Sequence, residues 1–174
     1  MDSGGPFSVV VQEADFDLSV ETARLRAFPE VARGAGALAS FVGVVRAASP
    51  GPLGGEASAE VVAMTLEHYP GMTERAIAAM LAEARARFPL LGARVIHRVG
   101  TLAPGAQIVL VVTASPHRRA AFEACEFLMD YLKTQAPFWK KERTAAGEQW
   151  VDARVQDDQA LARWGVAARD NAGS

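Results

Sequence analysis

The chain has 174 residues, 50% of them hydrophobic and 22% charged, with a formal net charge of −2. That is enough for one domain with a real core, and it carries no overall basic field of the kind a nucleic-acid binder uses. No apolar run approaches the roughly 20 residues needed to cross a bilayer, and a single cysteine excludes an internal disulfide framework or an all-cysteine metal site. The opening Met1-Asp-Ser-Gly-Gly-Pro has neither the basic nor the apolar region of a secretory signal, so the expected compartment is the cytoplasm, with no membrane partner.

Residues 7–12 predict a short strand and 19–28 a helix capped by Ser19. Gly34-Ala-Gly leads into an apolar strand over 37–46 that ends on Arg46. Residues 47–60, rich in Gly, Pro, Ser and Ala, predict a flexible surface loop. A strand over 61–69 alternates Val62, Met64 and Leu66 against Val61, Ala63 and Thr65. Thr73, after the turn Pro70-Gly-Met, caps a predicted helix to Phe88 with Ile77, Met80, Leu81, Ala84 and Phe88 on one face. Strands over 93–99 and 107–113 follow, joined by a turn at Pro104 and Gly105. Ser115 and Pro116 then open a long helix, as N-cap and first helical residue, which runs to about Ala136 and stops at Pro137. A hairpin of 138–143 and 149–154 and a short amphipathic helix to Trp164 complete the chain, with 1–6 and 165–174 frayed. Strands mixed with helices and hairpin-like neighbours predict an α+β fold: a mixed or antiparallel sheet with packed helices, one compact domain over 1–174.

The long helix is the most informative element. At about 100° per residue, Arg118, Phe122, Cys125, Met129, Lys133 and Ala136 fall on one stripe, with a cation near each end. Two readings stand side by side. The cations snorkel past an apolar face to water, or Lys133 sits at the edge of a pocket, where desolvation and a neighbour such as Lys140 lower its pKa and make it a usable amine. His117 and Arg118 occupy the first turn, where the helix dipole already favours an anion; a phosphate or carboxylate ligand explains them, and so does a neighbouring acidic side chain. In residues 138–143, alternation puts Phe138, Lys140 and Glu142 on one face and Trp139, Lys141 and Arg143 on the other. A solvated edge strand is the plain alternative. Arg46 is either a strand terminator or an anion contact beside a flexible lid.

Cys125 reads as a small core residue. His68, His97 and His117 have no short metal-ligand spacing, so no metal site is expected. Walker, G-x-G-x-x-G and G-x-S-x-G patterns are missing from the sequence, which leaves nucleotide-dependent and serine-hydrolase readings without support.

Four segments taken together carry a resemblance: Leu66-Glu-His-Tyr-Pro-Gly-Met-Thr, Val95-Ile-His-Arg-Val-Gly, Ser115-Pro-His-Arg-Arg, and Met129-Asp-Tyr-Leu-Lys-Thr-Gln-Ala-Pro-Phe-Trp-Lys-Lys-Glu. In this order they resemble the catalytic large subunits of molybdopterin synthase, from about Gly36 to Trp164. The resemblance implies a sulfurtransferase that turns cyclic pyranopterin monophosphate into the molybdopterin dithiolene. It implies no permanently bound cofactor. The sulfur would come from a small ubiquitin-like partner whose C-terminal Gly-Gly carries a thiocarboxylate, within an assembly of two large and two small subunits. The alternative is a non-catalytic homologue that binds the ubiquitin-like partner or a phosphorylated ligand.

By the same resemblance the substrate-binding residues are Val44, Val45, Arg46, His117, Arg118, Lys133, Lys140, Lys141 and Glu142. Lys133 would be the main catalytic lysine, as general acid/base or transient acyl acceptor. Lys140 would hold the thiocarboxylate or the developing negative charge. Arg46, His117 and Arg118 would bind phosphate and pterin. The chain departs from the family pattern at Gln135, where arginine is common, and in loop 47–60, which is poor in polar residues. Arg118 and Lys133 lie fifteen residues apart on one helix, roughly 22 Å along its axis. One small pterin does not span that, so the expected site is shared across a homodimer, with His117 and Arg118 supplied by the second subunit.

Overall fold

The centre of the fold is a strand buried on both faces. A computed structural model describes residues 4–49, 59–151 and 162–165, and within it the last seven residues of β7 (Gln107–Ser115) are all buried. Successive side chains on a strand point to opposite sides. Val109 and Val111 therefore join one apolar cluster, while Leu110, Val112 and Ala114 join another.

Helices α3 (Met72–Arg87) and α4 (Arg118–Thr134) cover the first side, with Ile77, Met80, Leu81, Ala121, Phe127 and Leu128 in its core. Helices α1 (Leu18–Arg26) and α2 (Pro29–Gly34) cover the second through Leu25 and Val31. The sheet between them runs β1 (Phe7–Gln12), β5 (Gly92–Arg98), β7, β2 (Ala37–Val44). It is mixed, because β1 pairs parallel to β5 while β5 and β2 pair antiparallel to β7.

A second sheet is built around β4 (Ala59–His68), with β8 (Phe138–Thr144) on one side and β9 (Gly147–Val151) outside β8. On its other side β4 pairs with β3 (Ala48–Ser49) and β6 (Gly100–Leu102). Gly100, at φ +82°, makes the sharp step from β5 in the first sheet to β6 in the second. The α+β expectation holds, as two sheets rather than one.

Several local expectations are corrected. Asp17, not Ser19, caps α1: its carboxylate accepts from the Ser19 and Val20 N–H groups at 2.7 and 3.0 Å. Helix α3 starts at Met72 after Gly71, whose N–H donates to the Glu74 carboxylate at 2.6 Å; Thr73 lies inside the helix and is fully buried. Ser115 ends β7, its hydroxyl donating to the Pro89 carbonyl and accepting from the His117 N–H at 3.3 Å, while α4 starts at Arg118 with His117 in the N-cap position. Strand β6 has no counterpart among the predicted elements. Residues 48 and 49 of the predicted loop 47–60 form β3, and 50–58 lie outside the described residues. So do residues 1–3, 152–161 and 166–174, which hold the end of the predicted hairpin, most of the predicted helix before Trp164 and most of the two predicted frayed ends.

Candidate active site

The predicted stripe on α4 is rotated by one position from the face the protein buries. Ala121, Ala124, Leu128 and Leu132 lie at the centre of the buried face, with Cys125 and Met129 beside them. Phe122, 65% exposed, and Lys133, also exposed, stand on its margin. The alanines explain the difference: they bury little area each, yet they let the helix approach the sheet, and Thr113 donates to the Ala121 carbonyl at 2.8 Å. Within one chain Lys133 is exposed on the margin of that face.

Helix α4 ends at Thr134 and is capped by Gln135, whose N–H donates to the Tyr131 carbonyl at 2.8 Å, and Pro137 bars further helix. The chain reverses there into β8. Strand β8 is not an edge, since it lies between β4 and β9. Its register sets Lys140 opposite Leu66 and Glu142 opposite Met64. Residues paired across strands share a face, so Lys140 and Glu142 lie on the side where Met64 and Leu66 cluster with Val45 and Leu102. Lys140 Nζ is 2.8 Å from Glu142 Oε1. Lys141 points to the opposite side, 3.1 Å from Glu148 and 5.0 Å from the centre of the Trp150 ring.

Val44, the last residue of β2, is exposed, whereas Val45 is 2% exposed and held by two backbone bonds. Its N–H donates to Ala106 at 2.9 Å, and its carbonyl accepts from Gly105 at 2.8 Å. Val45 belongs to the cluster that shares its face with Lys140, and Arg46, the next residue, is exposed. The fold brings Val45, Lys140 and Glu142 to one face, with Arg46 next to Val45 in sequence and Lys133 one reversal of chain away. It does not bring His117 and Arg118 to them: both are exposed at the opposite end of α4.

Contacts around the reversal at 135–137 were not legible in the sequence. The Thr73 hydroxyl donates to the Pro137 carbonyl at 3.2 Å. The Phe138 ring stacks on His97, with centroids 3.7 Å apart and 17° between planes. His97 Nδ1 is in turn 2.8 Å from the Arg98 carbonyl. Burial pushes the His97 pKa down to about 4, the Arg98 carbonyl opposes that shift, and the charge of His68 adds to it. The Gln135 side-chain nitrogen is buried without a hydrogen-bond partner among the described residues.

Clefts of about 460 and 680 Å³ run along β1, lined by residues that include Asp15, Glu21 and Arg94 in the first and Phe7, Arg75 and Arg85 in the second. Neither is lined by Lys133, Lys140, Arg46, His117 or Arg118. Among the described residues, no three or more His, Cys, Asp or Glu side chains are grouped to hold a metal ion. No helix among them is long and apolar enough to cross a membrane.

Residues 11–135 match the family described as MoaE protein. A protein of Ralstonia nicotianae named molybdopterin synthase catalytic subunit is 57% identical over 166 residues, 95% of this chain and 88% of that one. Among solved structures, the molybdopterin biosynthesis MoaE protein from Burkholderia ambifaria is 54% identical with a TM-score of 0.74, covering 91% of this chain and 98% of that chain. Molybdopterin synthase from Staphylococcus aureus is 26% identical with a TM-score of 0.69, covering 82% of this chain and 96% of that chain.

Proposed function

The chain belongs to the MoaE protein family, the catalytic subunits of molybdopterin synthase, and from that premise we propose that Lys133, Lys140 and Arg46 form the centre of its sulfur-transfer site. The reaction is that of a sulfurtransferase in molybdopterin synthesis: a thiocarboxylate at the C-terminus of a small ubiquitin-like partner supplies sulfur to cyclic pyranopterin monophosphate. Sulfur brought by a partner fits a chain whose one cysteine is buried, and the reading needs no resident cofactor.

The observation that carries this reading is the placement of Lys140. Its ammonium is anchored at 2.8 Å by a carboxylate that is 5% exposed, on the face where Val45 packs against Met64 and Leu66. A lysine fixed by a buried carboxylate is oriented before the substrate arrives, which is what stabilising charge developed in a transition state requires. Lys133, in the last turn of α4, would act as general acid/base or transient acyl acceptor. Lys141 and Glu142 would act through contacts with the partner and through Lys140, respectively.

A homodimer completes the reading. Strand β2 is an edge of its sheet, and Leu38, Phe41 and Val44 on it are exposed, as is Phe122 on α4. Covering such side chains is the usual drive for a self-association surface. A second chain there would desolvate the Lys133 margin and deliver His117 and Arg118 to the opposite site. We read the whole chain as one catalytic unit of an assembly with two large and two small subunits, working in the cytoplasm.

The test is conversion in vitro with purified chain, thiocarboxylated partner and cyclic pyranopterin monophosphate. Dithiolene product should form, and Lys133→Ala should abolish it while circular dichroism stays that of the wild type. Normal partner binding with no product from the wild-type chain would mean a non-catalytic homologue.

A further inference from the structure

We propose that Thr73 is a positioning residue for sulfur transfer: through its hydrogen bond to the Pro137 carbonyl, it sets the placement of Lys133 relative to Lys140. The inference rests on the reading of these two lysines as the reacting centre. They lie on different elements, at the end of α4 and on the third residue of β8, with residues 134–139 between them. Their relative placement is therefore set by the reversal at 135–137.

That reversal is clamped from two sides. On one, Thr73 reaches it from α3, sixty-four residues away in sequence, with a side chain that is fully buried and donates to Pro137 at 3.2 Å. On the other, Phe138 is stacked on the buried ring of His97 from β5, which is itself held at the Arg98 carbonyl. Pro137 cannot donate a backbone hydrogen bond, so its carbonyl is the one backbone polar group it offers for anchoring.

Thr73 is also poorly explained as a local helix feature. The Gly71 N–H is already bound by Glu74, so the start of α3 does not depend on the Thr73 hydroxyl. A threonine buried at an apolar helix face costs free energy unless its hydroxyl is bonded, and the group it bonds lies between the two lysines.

The experiment is steady-state turnover of Thr73→Val and Thr73→Ser in the complete synthase, with the partner and pterin each varied. Valine keeps the shape and deletes the donor. A displacement of about 1 Å in a reacting group costs up to about a hundredfold in rate, so kcat of the valine variant should fall about ten- to a hundredfold. KM for both substrates should stay within about twofold, and serine should restore kcat. A valine variant with a lower melting temperature but wild-type kcat would overturn the proposal, as would a serine variant no better than valine. If the valine variant does not fold, Thr73→Cys replaces it against Thr73→Ser, a pair close in size that differs in donor strength. A lower kcat for cysteine alone supports the proposal, and equal values overturn it. Lys133→Ala and Lys140→Ala are run alongside. If they keep turnover, the site reading itself fails; if they are inactive while the Thr73 variants match wild type, only the positioning role fails.

Discussion

Lys140 and Glu142 lie two residues apart on β8 with their charged groups 2.8 Å apart, the carboxylate 5% exposed. Removing one member of a buried pair leaves the other charge in a place it cannot easily solvate. Because the Lys140 side chain is 35% exposed, solvent screens part of this, and Lys140→Met should cost about 2 kcal/mol rather than the full value for a sealed pair. Adding Glu142→Gln should return about 1 kcal/mol. Urea unfolding of the two single variants and the double variant measures the coupling, and simple additivity would show the pair to be energetically idle.

Cys125 should take no part in sulfur handling. Burial pushes its thiol pKa up to about 11, with the charge of Glu126 adding to the shift. At pH 7 the thiolate is then about one part in ten thousand. Native protein should resist iodoacetamide by intact mass, whereas unfolded protein should take up one adduct. Cys125→Ala should keep wild-type turnover with thiocarboxylated partner; loss of turnover in a folded variant would assign the sulfur a role.

How far such side chains could be read from sequence depends on whether their partners are local. Strand β1 has its predicted ends because a short β-branched run bounded by turn residues is a local signal. The helix caps failed where residue type alone decided. Ser19, Thr73 and Ser115 are all favoured cap types, yet Ser115 sits on the strand two residues before the cap position, accepting from His117 while donating to Pro89, and Thr73 donates to Pro137, partners that only the fold supplies. Strand β6 has three residues, too few for any period. In the site, the alternation of β8 put Lys140 and Glu142 on one face, but their nearness to Val45 follows from the pairing of β4 with β8, which is non-local.

His97 makes stability depend on pH in a defined direction. Its folded pKa of about 4 lies below the ordinary 6.5, chiefly through burial. As pH falls below about 6.5 the unfolded chain binds a proton that the folded chain refuses. The contribution of neutral His97 is therefore complete above about pH 6.5, declines as pH drops, and is lost by about pH 4. At about 1.4 kcal/mol per pKa unit, the loss is about 3 kcal/mol. His97→Phe keeps a ring against Phe138 and removes the titration. Unfolding free energies between pH 7 and 4 should fall more steeply for wild type than for this variant; parallel curves would place the pH dependence elsewhere.

The last expectation concerns the length of α4. Arg118 is its first residue and Lys133 lies in its last turn, so the two are roughly 22 Å apart along the axis. If both touch one pterin, they come from different subunits. Homodimers of Lys133→Ala and of Arg118→Ala should then each be inactive or nearly so. In a mixed dimer, one site carries both substitutions and the other carries neither. Random re-pairing of equal amounts should therefore restore about a quarter of the wild-type rate per chain. A site contained within one subunit gives a different result, because every site in every mixture is then damaged. Turnover measured after dissociation and re-pairing, with native mass spectrometry to count mixed dimers, separates the two. No recovery in a sample shown to contain mixed dimers would rule out the shared site.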